Sequence, residues 1–187
     1  MNIKIYYIDD EYIDYLREFD TKVPYNKNRT RPYVGIVYTY QNNNYFAPLS
    51  SPKEKHLKMS DKAIDIYKIA NGTLGIININ NMLPTPIECL TEALPTITDE
   101  IYKTLLEKQI TYINDNKNDL LSKVNQFQLR YRKGFLPKGV LERCCDFQLL
   151  EEKCKEWEKI HSQIILGQED LQQEDETETE DEDEPEM

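Results

Sequence analysis

Ile3, Ile5 and Tyr7 alternate with Lys4 and Tyr6, the two-residue period of a strand that buries one face. Asp9 then stands where a helix cap belongs, ahead of the acidic pair Asp10 and Glu11. Tyr12, Leu16 and Phe19 follow on one helical face, and Pro24 marks the exit. A polar, basic loop bounded by prolines comes next, PYNKNRTRP over 24–32. YVGIVYTY (33–40) and NYFAPLS (44–50) are strand-like, and Gln41-Asn42-Asn43 between them signals a hairpin. Ser60 predicts the cap of a short helix through Ile64 and Tyr67, closed by Asn71-Gly72. LGIINI (74–79) is an apolar run short enough for a buried strand.

Helical spacing dominates afterwards. Thr98 predicts a cap for a helix with Ile101, Leu105, Gln109 and Tyr112 in register, its first turn made acidic by Asp99 and Glu100. Leu120, Val124, Phe127 and Tyr131 form a second stripe that ends at Gly134. Asp146 opens a third, with Phe147, Leu150, Cys154, Trp157 and Ile164. These stripes predict core, not cofactor boxes. Strands cluster early and lack crossover helices between them, so the expected class is α+β: a small, strongly bent antiparallel sheet with helices packed around it, mainly C-terminal. No internal repeat occurs.

The charge changes the picture in one place. The chain has 187 residues and a formal net charge of −11, yet EDLQQEDETETEDEDEPEM (169–187) holds 12 of the 34 acidic residues and no Lys or Arg. The remaining 168 residues carry 23 basic against 22 acidic side chains and are near neutral. Such a segment is too polar and self-repelling to fold alone, so the expected organisation is a domain over 1–168 and a disordered acidic tail over 169–187. That tail reads as a solubilising extension, with mimicry of RNA as the alternative. No apolar run reaches the roughly 18 residues of a membrane span, and the N-terminus lacks a signal-peptide pattern. Cys89, Cys144, Cys145 and Cys154 follow neither disulfide-framework nor zinc spacing, which predicts reduced thiols and a cytoplasmic protein without a metal or cofactor site.

Candidate chemistry concentrates in NYFAPLSSPKEKHLK (44–58). Pro48 and Pro52 restrict the backbone on both sides of Ser50 and Ser51, and Lys53 and Lys55 follow on the same turn. Hydroxyls held beside ammonium groups suit a phosphate, or charge that develops on one. The bland alternative is a pair of turn-capping hydroxyls at a strand end. His56 is a candidate acid/base, though a lone histidine is more often structural; His161 reads as a surface residue.

In order along the chain, REFD (17–20), KVP (22–24), GIV (35–37), YFAPLSSPK (45–53), His56 and LGIININNMLP (74–84) resemble the ToxN/AbiQ toxins of type III toxin–antitoxin and phage-abortive systems, its AbiQ branch in particular. The resemblance covers residues 1 to about 160 and leaves the acidic tail outside. It implies a compact SH3-like barrel related to the MazF/Kid toxins, extended by helices. It implies a metal-independent endoribonuclease acting on cellular and phage RNA, with no cofactor. The implied inhibitor is an RNA of tandem repeats that fold as pseudoknots and close a ring with the toxin. The family's hydroxyl pair falls on Ser50 and Ser51, its following lysine on Lys53, and its basic residue four positions before GIV on Arg31, where some members have lysine. A family tyrosine further upstream is set against Tyr25, across a loop that is shorter here than in some relatives.

Metal-free cleavage turns the ribose 2′-OH on the adjacent phosphate, giving a 2′,3′-cyclic phosphate and a 5′-OH. The enzyme must take the 2′ proton, neutralise the phosphorane and protonate the leaving oxygen. Ser51 is the expected essential hydroxyl, Ser50 its support, Lys53 a neutralising cation or base, and Arg31 a planar fork for the phosphate. Base and acid stay unassigned. RNA binding asks for cations interleaved with aromatic faces. Two segments qualify: Tyr25, Lys27, Arg29, Arg31 and Tyr33, and RYRKGFLPK (130–138) with Arg130, Arg132 and Lys133. Lys55 and His56 extend the set beside the serines. For 130–138 the alternative is an exposed helix end whose cations offset the dipole. Two competing functions are a non-catalytic RNA-binding protein using the same groove, and an acidic-tailed protein-interaction module.

Overall fold

The computed structural model describes residues 2–26 and 30–178, with side chains described as far as Gln163. Its first unit ends at Cys154, and the chain from Lys155 onward forms a second. In the first unit seven strands, β1 (Lys4–Ile8), β2 (Tyr33–Tyr40), β3 (Asn43–Ser50), β4 (Ile66–Lys68), β5 (Ile76–Asn78), β6 (Leu83–Pro84) and β7 (Leu90–Glu92), form one sheet. The order is β4-β5-β3-β2-β1-β7, an open path, with β6 also paired to β3, and every pairing is antiparallel. Six helices accompany it: α1 (Asp10–Phe19), α2 (Glu54–Lys58), α3 (Glu100–Asp115), α4 (Lys117–Arg132), α5 (Lys138–Leu141) and α6 (Phe147–Glu178). The class is α+β.

The central hairpin follows from its sequence. Gln41 and Asn42 both take positive φ, 46° and 68°, which turns β2 directly into β3 with the twist a two-residue hairpin requires. The β2–β3 register shifts between Gly35 and Tyr38, and Phe46 lies over Gly35, where a Cβ would come within 2.1 Å of its ring. That bulge bends the ribbon. On its other edge β3 divides its partners: Tyr45 and Phe46 pair with β6, Leu49 and Ser50 with β5. The strand therefore ends at Ser50 with its β5 edge held.

Tyr12, Tyr33, Tyr45, Phe46, Phe127 and Phe147 are the large fully buried side chains. Phe147, in the first turn of α6, meets Tyr131, Tyr45 and Phe127 edge-on at 4.7, 6.0 and 6.1 Å between ring centres. The Tyr12 hydroxyl donates to the Pro84 carbonyl at 2.6 Å and ties α1 to β6. All four cysteines are buried; burial pushes the Cys144 and Cys145 thiols up to about 12.

Several local expectations change. Residues 60–71 hold no α-helix: the preceding turn, Glu54–Lys58, is the helical one, and Ile66–Lys68 joins the sheet. The cap of α3 is Asp99, whose Oδ1 accepts from the amides of Ile101 and Tyr102 at 2.9 and 3.1 Å, not Thr98. Its buried residues are Leu106, Gln109 and Ile113: Gln109 holds its expected place, Leu106 and Ile113 replace Leu105 and Tyr112, and Ile101 is exposed. On α1, Ile13 is buried beside Tyr12 and Leu16, while Phe19 lies at the surface. α6 spans Phe147–Glu178, and of the expected acidic tail residues 179–187 lie outside the described residues.

Candidate active site

A cleft of about 270 Å³ opens at the end of β3, lined by Thr30, Arg31, Pro32, Leu49, Ser50, Ser51, Lys53 and Tyr102. Three stretches of chain meet there. The Leu49 amide donates to the Pro32 carbonyl at 2.9 Å, which stitches the loop before β2 to the last residues of β3. Arg31 is oriented from its own loop: its amide donates to the Asn26 carbonyl at 3.3 Å and its Nε to the Tyr25 carbonyl at 2.9 Å. The terminal guanidinium nitrogens keep no partner among the described residues. Tyr102 comes from the first turn of α3, which the Asp99 cap fixes.

Beneath the serines the backbone is packed without slack. A Cβ on Gly75, whose φ is +104°, would lie 2.0 Å from the Ser50 carbonyl oxygen, so only glycine lets β5 approach β3 here. Gln109 of α3, fully buried, donates to the neighbouring Leu74 carbonyl at 2.5 Å and ties the same loop to the helix carrying Tyr102. The Asn78 amide donates to Ser50 Oγ at 3.1 Å. Lys53 precedes α2, and its carbonyl accepts from the His56 amide at 2.9 Å.

Among the described residues two cations and four hydroxyls line this cleft, and no carboxylate does. Burial, and then Tyr7, push the Tyr102 phenol up to about 12, so it stays a proton donor at neutral pH. Such a lining attracts an anion of phosphate size and offers it directional donors. Fold and cleft together define a small α+β protein built around a cationic, hydroxyl-rich anion site.

The structure gathers all four expected catalytic residues, Arg31, Ser50, Ser51 and Lys53, around one space. The expected RNA-binding residues divide. Tyr33 is fully buried, its hydroxyl without a partner among the described residues, and has no face to stack on a base. His56, on α2, is buried and does not line the cleft. Arg132 is half-buried, its guanidinium 2.5 Å from Glu151 and 3.5 Å above the Tyr40 ring. Tyr25, Lys55, Arg130 and Lys133 are exposed, outside the cleft lining. Lys27 and Arg29 lie outside the described residues. Tyr102 is the residue that sequence reasoning missed: half-buried on a helix about 50 positions beyond the serines, it belongs to no motif with them.

The family model of the toxin ToxN, type III toxin–antitoxin system, matches residues 4–155. The endoribonuclease ToxN of Bacillus thuringiensis subsp. kurstaki is 37% identical over 171 residues, 84% of this chain and 86% of the relative. The endoribonuclease AbiQ of Lactococcus lactis subsp. lactis is 32% identical over 171 residues, 85% and 91%. Among solved structures, AbiQ, a lactococcal anti-phage endoribonuclease of the type III systems, superposes with a TM-score of 0.73 at 28% identity over 85% of this chain and 99% of that one. A chain from work on selective toxin inhibition by a non-coding RNA pseudoknot superposes at 0.71 and 33% identity, over 84% and 99%. The chain belongs to the ToxN family of type III toxin–antitoxin toxins.

Proposed function

We propose that the chain is a sequence-selective endoribonuclease toxin that cleaves RNA without a metal, by attack of the ribose 2′-OH on the neighbouring phosphate. The observation that carries this reading is the carboxylate-free cleft that joins Arg31, Ser50, Ser51 and Lys53 with Tyr102. Arg31 and Lys53 neutralise the charge that grows on the phosphorane, and Ser50 and Tyr102 donate to its oxygens. Ser51, exposed and without a hydrogen bond among the described residues, is free to relay a proton. The products are a 2′,3′-cyclic phosphate and a 5′-OH.

The inhibitor part of the reading is supported by the solved neighbour from work on toxin inhibition by a non-coding RNA pseudoknot. An RNA antitoxin of tandem repeats folded as pseudoknots occupies the cleft and closes a ring with the toxin, in the cytoplasm. The bent sheet around β3 is an SH3-like barrel of the MazF/Kid kind. The domain extends over 1–168, and the acidic residues after it are a solubilising extension.

The test uses the full-length protein and a long single-stranded RNA transcript in EDTA. Cleavage with cyclic-phosphate ends is expected, and Ser51→Ala abolishes it while folding stays intact. Activity lost to the chelator and restored by magnesium overturns the route. A second reading, RNA binding without cleavage, is favoured if the transcript is bound but left whole, and the Ser51→Ala protein behaves like the wild type.

A further inference from the structure

The two adjacent serine hydroxyls are in different hydrogen-bonding states. Ser50 is the last residue of β3, in register with Ile76 of β5. Two residues further along β5, Asn78 reaches back to the same strand. Its Nδ2 lies 3.1 Å from Ser50 Oγ and 3.5 Å from the Pro48 carbonyl oxygen. A carbonyl oxygen can only accept, so Pro48 requires the nitrogen of the Asn78 amide on this side, not its oxygen. The bond to Ser50 therefore runs from the amide to the hydroxyl.

A serine hydroxyl has one proton to give and two lone pairs to receive with. With the Asn78 amide on one lone pair, the Ser50 proton is kept for a different acceptor. The cleft that Ser50 lines, with Arg31 and Lys53 beside it, is where an anionic acceptor would sit. Asn78 is itself half-buried, in a strand paired on both edges, so the amide is held rather than swinging in solvent. Ser51, one residue on, has no such neighbour.

We propose that Asn78 is a positioning residue for the reaction. Its amide fixes the Ser50 hydroxyl as a hydrogen-bond donor to a phosphate oxygen, which leaves Ser51 as the hydroxyl free to exchange a proton. This rests on the RNA-cleavage reading above. It divides the serine pair into a fixed donor and a mobile relay, and it assigns a role in the reaction to a residue that does not line the cleft.

The test is steady-state cleavage of a long single-stranded transcript by the full chain, with thermal unfolding as the check on folding. Asn78→Ala leaves the hydroxyl but frees its direction, so kcat falls about tenfold and KM stays within about twofold. Asn78→Asp keeps the shape and packs in the same space, but its carboxylate accepts the Ser50 proton and turns the donor away. The loss is then roughly a hundredfold, as for removal of one oxyanion donor. In a Ser50→Ala background Asn78→Ala costs nothing further. Equal losses in both backgrounds, an Asp variant no worse than Ala, or a loss confined to KM overturns the proposal. A wild type that leaves the transcript whole overturns the cleavage reading and this proposal with it. A wild type that cleaves, alongside Asn78 variants at its own rate, overturns this proposal alone.

Discussion

His56 shows how a residue type suited to catalysis is spent on structure. It is 1% exposed, and its Nδ1 has no partner among the described residues. Burial, with Lys55 and Lys53 adding to it, lowers its pKa. The unfolded chain, at the ordinary value of about 6.5, therefore takes up a proton before the folded one does. Stability contributed by neutral His56 is present above about pH 6.5, declines as pH falls below it, and is gone once the folded pKa has been passed. The expected result is that the urea midpoint of the wild type falls more steeply between pH 7 and 5 than that of His56→Gln; parallel slopes would remove the effect. Arg132 is likewise committed within the fold. Its side chain is 17% exposed and that of its partner Glu151 only 8%, with the Tyr45 hydroxyl donating to the same carboxylate oxygen at 2.5 Å. Arg132→Ala leaves that carboxylate buried without its cation and should cost about 3 kcal/mol in denaturant unfolding. A change below about 0.5 kcal/mol, the scale of an ordinary surface substitution, would mean that the pair is not held as described.

At the scale of elements, the ladder between β3 and β5 is the support of the cleft, and Gly75 is its tightest point. Gly75→Ala would bring a methyl group to 2.0 Å from the Ser50 carbonyl in a backbone region that favours glycine. The strand end must shift, so RNA cleavage should be lost together with about 2–4 kcal/mol of stability. An Ala variant with wild-type activity and melting would show that the two strands do not meet this closely. The same elements show what could be read in advance. The β2–β3 hairpin was legible because eight-residue strands and a Gln41-Asn42 turn carry a signal in their own residues. The serines and Lys53 were legible because they lie together in sequence. β4 and β7 were not, since three residues give no alternation to detect, and Ile64 and Tyr67 happen to fall three apart as in a helix. Tyr102 was hidden for a different reason. Nothing in the sequence around Tyr102 links it to the serines; it reaches the cleft only because the Asp99 cap and the Gln109 bond to the Leu74 carbonyl hold α3 beside the loop before β5.

For the molecule as a whole, the near-neutral body makes RNA affinity depend on a few local cations rather than on overall charge. Binding should weaken with salt, and Lys53→Ala should lower the slope of log affinity against log salt by about 0.7, the share of one phosphate contact on a single strand. An unchanged slope would take Lys53 off the phosphate. The cleft also has a history within synthesis. Arg31 and the serines belong to the first third of the chain, but β1 must wait for β7 as its second neighbour, and Tyr102 follows later still. A ribosome elongating at about 5–20 residues per second spends several seconds between making the serines and making that tyrosine. Through that interval the nascent polypeptide carries its reactive groups on an unfinished scaffold. On the reading proposed above, a growing toxin lacks the tyrosine of its site, and with it full activity towards the message that encodes it, until that interval has passed.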